Sequence, residues 1–526
     1  MRQTFIKITL VSILISAFFS ACKKDNISNN DSPIATGSRD ELTKDSMFLY
    51  AKELYLWNTD LPTYNVFNPR GRFNSGDLIT QLKDELFAIT RFGINPLNSR
   101  PYEFNEEDPN DTKYAYIEDL ITSGKLTAVP NTSGAINNSG EGNDFGFSLA
   151  LVGSLNNYRI YFQFASPGSP SALKGLGRGD YIDQIDGRTI GTNFNAESDF
   201  INTAINNSTI TIEGKKKDGT SYSYILNKTK YTSSPIYKDT VLTNGSKKIG
   251  YLAYAKFTDE KNSKAALTNV FAKFATANVT DLVIDLRYNG GGFVSTAEDL
   301  LNLIAPSSLN SKVMFIETYN AALQAGRASI LKNQPIRDQD DKIVFVNGKV
   351  ANYADNVSYD QASNTSYFSK AGGLNNISKV VFITTENTAS ASELVINSLK
   401  PYLDVKTVGS KSYGKPVGFF PVRIDKYELY LSSFSTRNSL GEGNYFAGIV
   451  PNYEEDDDVR RDFGNPNELS LASAINYIVN NRFVNSSNSN LRVNGTKQVS
   501  KSNEITKNIY MPSDFKGMID VPKNVK

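Results

Sequence analysis

The feature that most constrains the fold is a change of hydrophobic period that repeats after Lys248. An apolar strand, Ile249 to Tyr254, gives way to a helical stretch, Ser263 to Ala277, with Leu267, Val270, Phe271 and Phe274 at helical spacing. A second strand follows at Leu282 to Leu286, and the series resumes with the strand Val381-Phe382-Ile383-Thr384 and a helix from Ser392 to Leu399. Strands that alternate with helices of this length predict an α/β domain, a sheet covered by helices. This largest domain is placed at 233–483. Its segment 307–376 is long, polar and loop-rich, and is read as an insertion.

Two smaller units precede it. Ser38-Arg39-Asp40-Glu41 has the S-x-x-E form of a helix capping box, and Leu42, Met47, Tyr50, Leu54 and Trp57 continue at helical spacing. A second helical stretch covers Ser75 to Arg91, so 38–130 reads as a small, mostly helical domain whose aromatic stripe belongs to its core. From Asp144 to about Lys228 the pattern turns to short alternating strands separated by Gly and Asn, a β-rich unit placed at 135–232. Beyond Phe483 the chain becomes polar, and 484–526 is read as a tail.

The amino terminus reads as a secretory signal. Arg2 and Lys7 precede an apolar run, Ile8 to Phe19, that is too short to span a bilayer, and Ser20-Ala21-Cys22 follows. Small residues before the only cysteine resemble a bacterial lipobox, which implies that 1–22 is a lipoprotein signal with Cys22 the lipidated residue. Residues 23–37, rich in Asn, Ser and Asp, would tether the body to a membrane of the cell envelope, facing the periplasm or the cell surface.

Composition narrows the chemistry. The chain has no histidine and one cysteine, which excludes Ser-His-Asp and Cys-His catalysis, His- or Cys-rich zinc sites and internal disulfides. A hydrolase built from it must use Lys, a carboxylate or a chain terminus as base, or an oxygen-ligated metal. Its net charge of +1 gives no electrostatic footprint for nucleic acid. The acidic run Glu454 to Asp458 lacks the Gly and spacing of a calcium loop and reads as a solvated surface; no cofactor or metal is expected.

Three segments carry the remaining chemistry. Thr388-Ala389-Ser390-Ala391-Ser392-Glu393 follows an apolar strand and opens a helix, where Ser390 and Glu393 alone make a capping box. The same geometry suits a nucleophile, because a strand-to-helix turn exposes the Ser hydroxyl and aims the first helical N–H groups at an oxyanion. Ser412-Tyr413-Gly414-Lys415-Pro416 supplies a lysine that could act as base once burial lowers its pKa. Asp285-Leu286-Arg287-Tyr288-Asn289-Gly290-Gly291-Gly292 ends a strand in glycines that can turn an N–H inward.

Within the β-rich unit, Phe145-Gly146-Phe147-Ser148-Leu149 and the run from Ser166-Pro167-Gly168 through Leu176-Gly177-Arg178-Gly179-Asp180 to Ile185-Asp186-Gly187 resemble a PDZ domain. That resemblance makes Phe145, Gly146, Phe147 and Ser148 a peptide-binding loop, whose N–H groups would receive a terminal carboxylate. The three chemical segments, in this order after a PDZ-like unit, resemble the carboxyl-terminal processing peptidases, the tail-specific proteases that use a Ser-Lys dyad. Ser390 and Lys415 stand 25 residues apart, the spacing of that family.

The resemblance implies a multidomain α/β protein with a ClpP/crotonase-like protease core, Ser390 as nucleophile, Lys415 as general base, and the N–H groups of Gly291 and Ala391 as oxyanion donors. It also implies protein or peptide substrates with accessible C-termini. Gly448-Ile449-Val450-Pro451 matches a further family segment. Two positions depart: Phe419 stands where Gln usually orients the lysine, and Asn452 where Asp is usual. Phe419 keeps open a second reading, an impaired homologue that binds peptide tails as an adaptor.

Overall fold

The computed structural model describes residues 35–122, 136–338, 341–483, 505–512, 516–520 and 525. The signal, Cys22 and most of the tether lie outside the described residues. Among those described, no helix is long and apolar enough to cross a membrane.

The central sheet runs Ile236–Asn244, Lys247–Tyr254, Asp281–Asp285, Lys379–Thr384, Asp404–Gly409 and Tyr453–Glu454. Its first pair is antiparallel and the rest are parallel. Alternation along the strands splits the core into two layers. Leu282, Ile284, Val380 and Phe382 face one side, with apolar residues of the helices Glu260–Thr276, Val294–Ile304 and Ala391–Leu399. Val283, Val381 and Ile383 face the other, against Leu471, Ala474, Ile475 and Ile478 of the helix Leu469–Asn480. Strands buried on both faces explain the nearly continuous apolar runs in the sequence.

Segment 307–376 is more than an inserted loop. Its strand Val313–Tyr319 lies inside a four-stranded sheet, between Thr365–Tyr367 and Phe434–Arg437. The β-rich unit forms a sheet in the order Ser221–Asn227, Thr209–Lys215, Tyr181–Ile185, Asn157–Ala165 and Phe147–Ser154, with Ile505–Tyr510 added at its edge. Its core packs the helix Phe194–Asn206 through Ile201, Ala204 and Ile205.

The amino-terminal helices form as the caps dictate. Ser38 Oγ accepts from Glu41 N while Glu41 returns a bond to Ser38 N, opening Arg39–Leu54, and Asp77 caps Leu78–Ile89. This unit is joined to the core by a strand: Tyr116–Asp119 pairs with Tyr427–Tyr430, placing Tyr116 opposite Tyr430. That pairing carries the preceding residues, Lys113 to Ala115, to the end of the core where the three chemical segments meet.

Candidate active site

Ser390 sits between the strand Lys379–Thr384 and the helix Ala391–Leu399. The turn is pinned to the glycine segment by hydroxyls: Thr388 Oγ1 donates to Leu286 O at 2.8 Å and Ser392 Oγ to Asn289 O at 3.0 Å. Thr385 Oγ1 donates to Arg287 O. Held this way, Ser390 adopts φ 59° and ψ −109°, a left-handed conformation that costs a non-glycine residue about 1–3 kcal/mol. An ordinary cap is extended, with its hydroxyl accepting from the helix. Here Ser390 Oγ is buried and has no hydrogen-bond partner among the described residues. The turn keeps the layout of a capping box with Glu393, yet a strained turn that leaves its hydroxyl unpaired among the described residues at a helix N-terminus also suits a reacting group.

Lys415 is fully buried. Its Nζ donates to Lys516 O at 2.8 Å and to Tyr114 O at 3.2 Å, and lies 4.4 Å from the centroid of the Phe419 ring. Its pKa is lowered to about 7: burial is the main cause, the carboxylates of Glu103 and Glu393 oppose the fall, and the neighbouring Lys113 adds to it. Glu103 is itself buried, accepts from Ala115 N at 2.8 Å and Ser432 Oγ at 2.9 Å, and has its pKa raised by burial. Tyr114 and Glu103 both belong to the amino-terminal unit, whose part in the site sequence reasoning missed.

Glu393 does more than cap. Its Oε2 accepts from the N–H of Ser390 and of Lys415, both at 2.8 Å, while Oε1 accepts from Gly414 N at 2.7 Å and Ser412 Oγ at 2.5 Å. Ser412 Oγ in turn accepts from Ile449 N at 2.7 Å, tying in the Gly448-Ile449-Val450-Pro451 segment. One buried carboxylate therefore clamps the backbones of both segments together. Burial raises its pKa and the four donors counter that rise. The signal was visible only as a shared motif, since S-x-x-E reads equally well as a cap.

The donors expected for an oxyanion are unequal. Ala391 is the first helical residue, so its N–H has no partner within the helix. Gly291 N–H instead donates to Asn289 Oδ1 at 2.9 Å, and so is turned away from an oxyanion in this arrangement. Gly291 and Gly292 have φ of 110° and 136°, values that only glycine adopts without strain.

The Phe145–Ser148 loop also differs from expectation. Gly146 has φ 77°, and its N–H donates to Asp144 Oδ1 at 2.7 Å, so a carboxylate of the protein already takes that amide. Phe145 and Phe147 are buried in the core of their unit. Ser148 faces the segment Ile505–Tyr510, its Oγ 2.9 Å from Tyr510 O.

The acidic run is not a free solvated loop. Asp457 is the shared partner of two buried arginines, Arg178 and Arg287, with Arg287 Nη1 at 2.6 Å. Arg287 also pairs with Asp285 at 2.9 Å and Glu468 at 2.9 Å. Arg178 belongs to the β-rich unit, and its Nη1 donates to Tyr288 Oη at 2.7 Å, beside the glycine segment.

Known proteins resemble this chain in sequence and in fold. A carboxy-terminal-processing protease of Bartonella bacilliformis is 24% identical over 324 residues, 58% of this chain. The match spans 61% of that relative's length. In fold, a provisionally assigned S41 protease of Bacteroides fragilis aligns over 85% of this chain and 98% of its own, with a TM-score of 0.53 and 22% identity. Residues 248–454, which hold the glycine segment, Ser390, Glu393 and Lys415, match the family model of Peptidase family S41. The core of this chain is a Peptidase family S41 domain.

Proposed function

We propose that the protein is a serine endopeptidase of the cell envelope that cleaves polypeptides near their C-termini by a Ser390-Lys415 dyad. The observation that carries this reading is the clamp of Glu393, which ties a strained, unpaired serine to a buried lysine of pKa about 7. Near neutral pH a large fraction of the Lys415 amine is unprotonated and can accept the Ser390 proton. The Ser390 oxygen then bonds to the substrate's carbonyl carbon. Ala391 N–H and the helix dipole stabilise the oxyanion, joined by Gly291 N–H once it swings off Asn289. The protonated amine gives its proton to the departing amine as the C–N bond breaks. Water, deprotonated by the same lysine, then hydrolyses the acyl-enzyme.

The core is of the ClpP/crotonase-like type on this reading, and the β-rich unit is a PDZ-like module that takes peptide as an added strand. The pairing along Phe147–Ser154 supports that assignment, because this strand already accepts an added strand of this chain. The lipobox-like pattern before Cys22 supports a lipid anchor. The reading calls for neither nucleic acid nor a cofactor.

Cleavage of an unfolded protein with an apolar C-terminus by the protein, beside Ser390→Ala and Lys415→Ala, tests the assignment. Turnover lost in both folded variants is expected. A second reading, a tail-binding adaptor, is favoured by one observation: the Lys415 amine donates to two carbonyls while the Ser390 hydroxyl has no partner among the described residues. Binding without turnover in all three forms would establish that reading instead.

A further inference from the structure

The last described strands follow two tracks that a substrate would need. Ile505–Tyr510 pairs antiparallel with Phe147–Ser154, from Ile505 opposite Gly153 to Tyr510 opposite Leu149. Side chains fix the register. Gln163 Nε2 donates to Asn508 Oδ1 at 2.6 Å, and the Tyr510 ring meets Phe147 edge-on at 5.8 Å.

The second track lies at the site itself. Gly517–Ile519 pairs parallel with Gly291–Phe293 on one side, while Ile519 stands opposite Phe419 on the other. Gly517 N donates to Gly290 O at 3.1 Å, Phe419 N to Met518 O at 3.1 Å, and Asp520 N to Phe419 O at 3.2 Å. Met518 is fully buried, and Ile519 packs against Phe419 and Tyr430. A Cβ built on Gly291 would fall 2.4 Å from Gly517 O and 3.1 Å from both Ala391 N and Ser390 Cβ, so this backbone lies against the glycine that adjoins the nucleophile. The Lys516 carbonyl holds the Lys415 amine at 2.8 Å.

We propose that residues 505–512 and 516–520 are the resident occupant of the peptide path: a strand-forming stand-in for substrate that excludes other polypeptides from the Phe147–Ser154 edge and the Gly291–Phe419 cleft. That the segment stands in for substrate rests on the peptidase reading above, whereas the occupancy does not. Being covalently attached, the segment competes at an effective concentration on the order of millimolar, so a free peptide of micromolar affinity enters poorly. With the segment in place the amine serves a carbonyl of this chain, and the enzyme is latent. When the segment leaves, Lys415 is freed towards Ser390. Phe419 has a part here that Gln would not fill, since its ring both floors the amine and packs the occupant.

The test uses the full chain. In a Ser390→Ala background, Met518→Asp places a carboxylate in the buried cleft, and Asn508→Pro interrupts the added strand far from the chemistry. A fluorescent peptide with the sequence of residues 505–520 should bind each variant at least tenfold more tightly than the Ser390→Ala parent. With Ser390 restored, both should cleave an unfolded protein at least tenfold faster than the unaltered chain. If Met518→Asp does not fold, Asn508→Pro decides alone.

Equal peptide affinity in parent and folded variant overturns the proposal, and continued turnover there would leave the peptidase reading intact. Tighter peptide binding without turnover in any form would sink the peptidase reading and leave the occupancy standing.

Discussion

Lys415 Nζ stands 4.4 Å from the centroid of the Phe419 ring. The ring face attracts a cation only weakly and accepts no conventional hydrogen bond, while its bulk keeps water from the amine. Phe419→Gln replaces that floor with an amide oxygen that hydrogen-bonds the ammonium directly. The expected result is a rise of roughly one unit in the pH midpoint of kcat/KM. An unmoved midpoint would mean that the ring does not set the amine's proton affinity.

The pH profile of the parent follows from the same amine. Only unprotonated Lys415 can take a proton from Ser390, so kcat/KM should rise with pH through about 7 and then level. Glu103 favours the ammonium, and Glu103→Gln should move that midpoint downward. Tyr114, Lys113 and Glu393 also face the amine, and are unchanged in this comparison. Activity at pH 6 relative to pH 8, measured for both proteins, checks the sign.

Stability gives an independent view of Lys415. Its folded pKa lies below the ordinary value of 10.5, so the unfolded chain binds the extra proton between about 7 and 10.5. The amine's contribution is therefore fully present above the upper value and lost as pH falls towards the lower one. Lys415→Met removes this titration. The difference in urea midpoint between variant and parent should shift in the variant's favour as pH is lowered from 10 to 7. A pH-independent difference would place the amine's pKa near its ordinary value.

Much of the core was legible because its signals are local. Strand, turn and helix around Ser390 lie within one stretch of sequence, and the glycines after Asp285 announce a turn wherever they occur. What escaped notice is held by backbone carbonyls or distant residues. Tyr114 O reaches Lys415 across 301 residues of chain and Lys516 O across 101, and a carbonyl has no residue type to recognise. The strand Ile505–Tyr510 was hidden in a polar stretch because an edge strand is held by its backbone and can carry Thr, Lys and Asn outward. Glu454 to Asp458 read as solvated because its arginine partners stand 279 and 170 residues away.

Glu393 separates capping from clamping. A cap contributes about 1 kcal/mol to its own helix. Glu393 accepts four hydrogen bonds that hold Ser390, Ser412, Gly414 and Lys415 in place. Glu393→Gln keeps the shape but loses the charge and turns one acceptor into a donor facing N–H groups. The expected loss is 100-fold or more in kcat with KM little changed, since the substrate is not touched, and a stability loss of roughly 2–4 kcal/mol. Helix loss alone would lower stability and leave the kcat of the remaining folded enzyme unchanged.

The buried joint of Arg178, Asp457 and Arg287 fastens the β-rich unit to the core beside the glycine segment. Arg287 keeps Asp285 and Glu468 if Asp457 is neutralised, whereas the one carboxylate left to Arg178 among the described residues is Glu468, at 3.9 Å. Asp457→Asn therefore leaves a buried guanidinium poorly compensated, a loss of about 3–5 kcal/mol. The arginines hold the Asp457 carboxyl well below its ordinary range. Its contribution is present above that range and disappears as pH falls through the depressed folded value. Thermal unfolding at pH 7 should show Asp457→Asn melting lower than the parent, with the gap narrowing in strong acid. Because Arg178 also holds the hydroxyl of Tyr288, two residues before Gly290, the variant should lose turnover at temperatures where it remains folded.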